Sequence, residues 1–155
     1  MKYIILLLAL WLPVATQAKE PTKDHQKEDS VWMTQNYTKK EIYIPMRDGV
    51  RLYTAIYTPK STQTQHPILI TRTPYSIAPY GEDKFRQVWK SYHMAYYKKE
   101  YIMVYQDVRG RMMSEGEFMD VRPFNIDKKG TTIDEASDTY DLIDWLVKNV
   151  PNNNG

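Results

Sequence analysis

Tyr75 is the residue whose type and place in the chain point most directly to chemistry. It ends the segment Arg72-Thr73-Pro74-Tyr75, which follows the short apolar run 67–71. Such a run is typical of a strand buried in a parallel sheet, and ligands bind beyond the carboxyl ends of these strands. A tyrosine hydroxyl there could donate a hydrogen bond to a developing oxyanion, which is worth roughly 3 kcal/mol. The alternative is a Thr-Pro turn whose tyrosine packs on the sheet.

A second polar segment follows another apolar run, Tyr101–Tyr105, and therefore also lies at the carboxyl end of a predicted strand. It comprises Asp107-Val108-Arg109-Gly110-Arg111 and continues into Ser114-Glu115-Gly116-Glu117-Phe118. An aspartate and an arginine two residues apart in a turn most often pair with each other and hold a loop. We therefore predict a local pair between Asp107 and Arg109, with direct substrate binding as the alternative.

Other catalytic patterns do not occur in the sequence. No serine stands in a G-x-S-x-G setting, and G-x-x-x-x-G-K-[ST], G-x-G-x-x-G and H-E-x-x-H are also missing. Acidic residues crowd one segment near the end of the chain and could suggest a carboxylate site. They are Asp134, Glu135, Asp138, Asp141 and Asp144. We favour a simpler interpretation, in which they complement a helix dipole and form a solvated helix face.

Composition indicates a globular protein and excludes several classes of function. Hydrophobic residues make up 42% and charged residues 26% of the 155 residues, which is typical of a domain with a core. The net charge of +2 gives no electrostatic reason to expect a nucleic-acid partner. The chain has no cysteine, which excludes disulfides and a cysteine nucleophile, and with only 3 histidines we expect no metal and no cofactor.

The pattern of apolar residues predicts an α/β protein with a mainly parallel sheet. Residues 37–44 and 51–58 alternate around Asp48-Gly49 and predict an antiparallel hairpin. The two apolar runs predict buried strands, and helical spacing predicts helices over 84–99 and from Thr132 to Pro151. Thr132 and Glu135 form a capping box at the start of the second helix. Its apolar stripe comprises Ile133, Ala136, Tyr140, Ile143 and Val147, widened by Leu142 and Leu146.

The start of the chain predicts export. Lys2, an apolar run from Tyr3 to Val14 and small residues up to Ala18 form the pattern of a secretory signal peptide, residues 1–18. The run is shorter than the roughly 20 residues of a membrane-spanning helix, so we expect cleavage rather than a stable membrane anchor. The mature protein would then be secreted or periplasmic.

Residues 19–36 are predicted to be a polar linker or an arm. They are highly charged and show no hydrophobic period, which is typical of segments without a packed core. Val31-Trp32-Met33 is their one apolar cluster and is the expected docking point. The globular domain would therefore span residues 37–155.

Four segments in series resemble the N-terminal part of one family of serine hydrolases. They are Ile44–Leu52, Thr71–Tyr75, Gln106–Arg111 together with Ser114-Glu115-Gly116, and Asp141–Leu146. The family contains Xaa-Pro dipeptidyl-peptidases, cocaine esterase and the α-amino acid ester hydrolases, and its relatives include glutaryl-cephalosporin acylases. The Asp-rich last helix and the expected export look most like the α-amino acid ester hydrolase branch.

The resemblance implies the N-terminal half of an α/β-hydrolase fold, truncated before the strand that carries the nucleophile. It also implies cleavage of a small ester, amide or short peptide through an acyl-enzyme, without a cofactor. In this fold the loop after the third strand supplies part of the oxyanion hole. In this family a tyrosine hydroxyl has that role, and the matching residue here is Tyr75.

The resemblance further implies that the catalytic machinery is incomplete in this chain. The nucleophilic Ser, the Asp and the His of such proteins follow downstream of the position of Gly155, in that order, so we expect all three to be absent. We then expect the chain alone to be inactive and poorly soluble, with an unpaired sheet edge. The rival hypothesis is an exported non-catalytic binding module or a pseudo-enzyme remnant, and the oligomeric state stays open.

Overall fold

A computed structural model of the chain describes residues 23–87 and 91–155. The predicted signal peptide, residues 1–18, lies outside the described residues. The elements in chain order are α1 (Lys23–Asn36), β1 (Tyr37–Pro45), β2 (Arg51–Pro59), β3 (Ile68–Thr73), α2 (Ser91–Lys98), β4 (Ile102–Asp107) and α3 (Glu135–Asn149). In the described part of the chain, no helix combines the length and the apolar character needed to cross a membrane.

The four strands form one mixed sheet in the order β1-β2-β4-β3. The predicted hairpin is confirmed, since β1 and β2 are antiparallel and the strand ends Pro45 and Arg51 face each other across the turn. β4 is antiparallel to β2 but parallel to β3. Thr73 and Asp107 are paired at the ends of β3 and β4, so the two polar segments that follow leave the same edge of the sheet side by side.

Apolar layers cover both faces of the sheet, because successive strand residues point to opposite faces. On one face Tyr57, Met103 and Tyr105 are buried in one cluster with Met33 of α1 and Tyr97 of α2. On the other face the buried cluster combines residues of α3 and of three strands. It includes Leu142, Leu146, Ile44, Leu52, Ile56 and Val104. The sheet is therefore the middle layer of an α/β arrangement.

The predicted linker or arm at residues 19–36 contains a helix, α1, which corrects the linker interpretation and is compatible with an arm that docks on the domain. Met33 is buried in the core, and the ring centroids of Trp32 and Tyr37 lie 6.2 Å apart. At the end of α1, the Asn36 side-chain amide donates to the Trp32 carbonyl at 2.8 Å. The expected docking point is confirmed at Met33, while Val31 is exposed. A helix that buries so little of its surface leaves no apolar period to detect.

The helix predicted over 84–99 is shorter at its start, because α2 begins at Ser91 and residues 84–87 are irregular. Tertiary contacts replace the expected first turn. The Lys84 carbonyl accepts a hydrogen bond from the Lys39 ammonium at 2.9 Å, and the Arg86 N–H donates to the Tyr57 hydroxyl at 3.3 Å. The predicted end of the helix agrees with the structure within one residue.

α3 has the predicted kind of cap, two residues later than expected. Asp134, not Thr132, is the N-cap, and its carboxylate accepts the Ser137 N–H at 2.7 Å. The Ser137 hydroxyl in turn accepts the Asp134 N–H at 2.8 Å. The Asp134 carboxylate also accepts the Lys128 ammonium at 2.8 Å and the Asn125 N–H at 3.0 Å.

α3 also turns a different face to the core than its apolar stripe predicts. Leu142 and Leu146 are buried as expected, but Tyr140, Ile143 and Val147 are 65%, 44% and 40% exposed. The buried face is completed by Ser137 and by Asp138, a charged residue. Asp138 forms a buried ion pair with Arg109 on this face, and the apolar periodicity of the sequence gives no indication of such a pair.

Candidate functional site

Tyr75 lies in the loop after β3, at the edge of the sheet where β4 also ends. Its side chain is 85% exposed, so the alternative in which this tyrosine packs on the sheet is wrong. The Tyr75 N–H donates to the Thr73 hydroxyl at 3.1 Å, which closes a short turn around Pro74. The turn directs the phenol away from the core and leaves it exposed within the described part of the chain.

The backbone directly after Tyr75 is strained. Ser76 has φ +99°, a conformation that residues other than glycine rarely adopt. The Ser76 hydroxyl accepts the Ala78 N–H at 3.1 Å and lies 3.1 Å from the Tyr80 hydroxyl. Strain of this kind persists only where the surroundings enforce it, and it clusters at functional sites. We call residues 74–81 the Tyr75 loop.

Asp107, the last residue of β4, binds the Tyr75 loop from the buried end of the strand. It is completely buried, and its carboxylate accepts the Ile77 N–H at 3.0 Å, the Tyr80 hydroxyl at 2.9 Å and the Met113 N–H at 3.4 Å. Burial raises the pKa of the Asp107 carboxyl above its ordinary value, and these hydrogen bonds oppose part of that rise. Two of its three hydrogen bonds therefore bind the Tyr75 loop, and the third binds the segment after β4.

The predicted local pair between Asp107 and Arg109 is wrong, because the two side chains serve different parts of the fold. Arg109 is 4% exposed and donates to Asp138 at 2.7 Å and to Asp48 at 2.8 Å. These charge-assisted bonds outweigh the effect of burial, which by itself lowers the pKa, and they raise the pKa of Arg109. Arg109 thus ties β4 to the β1–β2 turn and to α3.

A second arginine joins the same network from β3. The Arg72 guanidinium donates to the Gln106 side chain at 2.9 Å, to Thr139 at 2.8 Å and to Glu135 at 3.1 Å. It also lies 3.7 Å from Asp138. Arg72 is therefore occupied in fixing α3 on the end of β3, beside the start of the Tyr75 loop.

The acidic series of α3 is neither a carboxylate site nor, for the most part, a solvated face. Each carboxylate has its own cation, and the pairs are Asp134–Lys128, Glu135–Arg72, Asp138–Arg109, Asp141–Arg47 and Asp144–Lys148. The solvated-face prediction is wrong for the buried Asp134 and Asp138 and fits the exposed pair at Asp144. Among residues 23–87 and 91–155 no group of three or more acidic or histidine side chains could hold a metal ion.

The segment after Asp107 also contacts the Tyr75 loop. The Arg111 guanidinium donates to the Pro74 carbonyl at 3.1 Å, and the Ser114 hydroxyl donates to the Asp107 carbonyl at 2.6 Å. Glu115 forms a bidentate ion pair with Arg51 at the start of β2. The side chains of these residues all form contacts within the protein, which favours the hypothesis that the segment supports the loop over the hypothesis that it binds substrate directly.

Gly110 is needed where this segment folds back on itself. It has φ +67°, and its N–H donates to the Glu115 carbonyl at 2.9 Å. A Cβ at this position would lie 2.1 Å from the Phe118 backbone nitrogen. The chain can therefore make this turn only with glycine.

We expect Gly110→Ala to destabilise the protein by clearly more than the about 1–2 kcal/mol that a left-handed backbone costs an alanine. The added cost comes from the steric clash with Phe118. Gly130→Ala is the matched control, since Gly130 has φ +55° but open space at its Cβ position. Urea denaturation of both variants measures the difference, and equal midpoints would contradict the proposed clash.

Two residues of the site give no signal in the sequence. Lys39 stands among polar residues of an alternating strand, yet its ammonium is buried and donates to the carbonyls of Pro79, Gly81 and Lys84 at 2.7–2.9 Å. It also pairs with Glu41 at 2.6 Å. Tyr80 lies in an irregular loop, and burial raises the pKa of its phenol, an effect to which the hydrogen bond to Asp107 adds.

Comparison with known proteins places the chain in a family. The sequence profile of the X-Pro dipeptidyl-peptidase family (S15) matches residues 48–155. The cocaine esterase of Rhodococcus sp. (strain MB1 Bresler) is 30% identical over 118 residues, which cover 73% of this chain and 17% of that protein.

Two solved structures confirm the α/β-hydrolase class of fold. An aminopeptidase from a marine sediment archaeon, Thaumarchaeota archaeon, is 42% identical with a TM-score of 0.64, over 77% of this chain and 20% of its own. An α-amino acid ester hydrolase is 34% identical with a TM-score of 0.66, over 95% of this chain and 23% of its own. The chain thus spans about a fifth of the length of these relatives. With most of its domain matched by the family profile, the chain belongs to the X-Pro dipeptidyl-peptidase (S15) family of hydrolases.

Proposed function

We propose that this chain is the N-terminal part of a serine hydrolase that cleaves an ester or amide bond through an acyl-enzyme. The carrying observation is an exposed tyrosine on a strained loop, at the sheet edge where the parallel strands β3 and β4 both end. The relatives named above include an esterase, an ester hydrolase and an aminopeptidase, which supports a small ester, amide or short peptide as the substrate.

In this proposal Tyr75 stabilises the tetrahedral intermediate. When a serine attacks a carbonyl carbon, negative charge develops on the carbonyl oxygen, and the Tyr75 hydroxyl donates a hydrogen bond to it. A donor of this kind is effective when it is in place before the charge appears, because the protein then needs no reorganisation during the reaction. The many bonds that fix the Tyr75 loop provide that preorganisation.

The remaining catalytic groups belong to the proposal as well. The serine nucleophile, the acid and the histidine base would follow in the protein downstream of Gly155, and the protein would be exported by cleavage after Ala18. Mass spectrometry of the mature protein tests the second point, since the proposal requires an N-terminus at Lys19.

We expect a chain of residues 19–155 to show no turnover of p-nitrophenyl esters. The complete gene product, by contrast, is expected to hydrolyse them and to be inactivated by a fluorophosphonate, which labels an activated serine. Sequencing the gene past Gly155 is the companion measurement, and a G-x-S-Y-x-G motif is the expected result. A stop codon there would favour the non-catalytic module, and fluorophosphonate-sensitive turnover by residues 19–155 would contradict the assignment of the nucleophile to a later segment.

A further inference from the structure

We propose that Asp107 is a positioning residue for Tyr75: the buried carboxylate fixes the position of the Tyr75 hydroxyl, the proposed donor to the oxyanion. The inference rests on the proposed function of Tyr75 and adds a residue to it. Asp107 does not reach the surface, since it is completely buried, and it therefore acts through the loop above it.

The two carboxylate oxygens of Asp107 bind different parts of the Tyr75 loop. Oδ1 accepts the Ile77 N–H at 3.0 Å, two residues after Tyr75. Oδ2 accepts the Tyr80 hydroxyl at 2.9 Å, and Tyr80 in turn lies 3.1 Å from the hydroxyl of the strained Ser76. One carboxylate thus binds the backbone after Ser76 directly and is linked to the Ser76 hydroxyl through Tyr80.

Separate contacts hold the two ends of the loop. Before Tyr75, Arg111 donates to the Pro74 carbonyl at 3.1 Å. At the far end, the buried Lys39 ammonium binds the Pro79 and Gly81 carbonyls, and Glu41 accepts the Gly81 N–H at 2.7 Å. Between these ends, the Ile77 side chain packs in the core and the Ile77 N–H is bound by Asp107, so the backbone next to Tyr75 is positioned in part by Asp107. Loss of Asp107 should shift this backbone while both ends and the Ile77 side chain stay in place, so the fold should survive the change.

A carboxylate suits this position better than an amide does. All three groups that approach Asp107, the Ile77 N–H, the Tyr80 hydroxyl and the Met113 N–H, act as donors. In Asp107→Asn one oxygen becomes an NH₂ group, which cannot accept the Met113 N–H or the Tyr80 proton. The substitution keeps the shape of the side chain but removes half of its acceptors.

The test uses the complete gene product and a double-mutant cycle. We expect Asp107→Asn to lower kcat about tenfold or more with KM nearly unchanged, because a small misplacement of a positioned group can cost up to about 10²-fold. In a Tyr75→Phe background we expect Asp107→Asn to cause no further loss, since the hydroxyl it positions is gone. Tyr80→Phe removes only one of the bonds to Asp107, and it should show a smaller loss that also disappears in the Tyr75→Phe background.

Asp141→Asn is the matched control. The Asp141 carboxylate also accepts a backbone N–H, from Arg47 at 2.9 Å, but it lies on α3 and has no bond to the Tyr75 loop. It should lower thermal stability without changing kcat.

The outcomes distinguish a failure of the proposed function of Tyr75 from a failure of the proposed role of Asp107. If Tyr75→Phe leaves kcat unchanged, the proposed function of Tyr75 fails and the inference falls with it. If Tyr75→Phe slows the enzyme while Asp107→Asn and Tyr80→Phe do not, only the inference fails. An equal loss from Asp107→Asn in both backgrounds would also overturn it, because the effect would then be general destabilisation rather than positioning.

Discussion

Tyr75→Phe in the complete enzyme is expected to lower kcat by about 10²-fold or more, with a small change in KM. The substitution removes one oxygen atom and with it the hydrogen bond to the oxyanion, which forms only in the transition state. A ground-state carbonyl carries less charge, so substrate binding should change little. Within the described residues the side chain is 85% exposed, so the loss of its hydroxyl removes no buried contact in this part of the protein. The thermal midpoint should stay at the wild-type value.

Tyr140→Phe provides the matched control for this prediction. Tyr140 is 65% exposed on α3, and its ring faces the Arg47 guanidinium at 5.8 Å, a contact that does not use the hydroxyl. Steady-state kinetics with a p-nitrophenyl ester should show wild-type kcat for Tyr140→Phe and the large loss for Tyr75→Phe. Wild-type kcat in both variants would remove Tyr75 from the oxyanion hole.

Features that depend on neighbouring residues could be predicted from the sequence. Asp48-Gly49 predicted the hairpin because a tight turn between antiparallel strands needs a residue with positive φ, and Gly49 has φ +87°. The apolar runs specified β3 and β4 because strands buried on both faces exclude polar residues. The position of Tyr75 followed from these strands, since it comes directly after one of them.

Features that depend on partners distant in the chain could not be predicted. Asp107 was expected to pair with Arg109, two residues away, but its partners include Ile77 and Tyr80, about thirty residues earlier. Lys39 lies in an alternating strand, and nothing nearby in the sequence shows that three carbonyls surround its ammonium. Charge pairing across the fold decided these positions, and apolar periodicity contains no information about it.

The orientation of α3 gives the second large prediction. We expect Asp138→Ala to destabilise the protein by about 3 kcal/mol, because removal of one partner of a buried ion pair leaves an uncompensated charge. Arg109 is only 4% exposed and Asp138 2%. The cost should lie at the low end of the usual range for such breaks, since Asp48 still accepts from Arg109 at 2.8 Å. Urea denaturation followed by far-UV circular dichroism measures the change.

Two further variants test whether the buried charge pair or the buried leucines Leu142 and Leu146 hold α3 in place. Asp144→Ala breaks the exposed pair with Lys148 on the same helix, and its midpoint should stay near the wild-type value, because exposed pairs contribute little. The double variant Asp138→Leu with Arg109→Met should recover part of the stability lost in Asp138→Ala, since apolar side chains of similar volume replace a buried pair at little cost, while the partly exposed Asp48 loses its partner Arg109. If Asp138→Ala were as mild as Asp144→Ala, Leu142 and Leu146 alone would suffice to orient the helix, and Arg109 would be supported by Asp48.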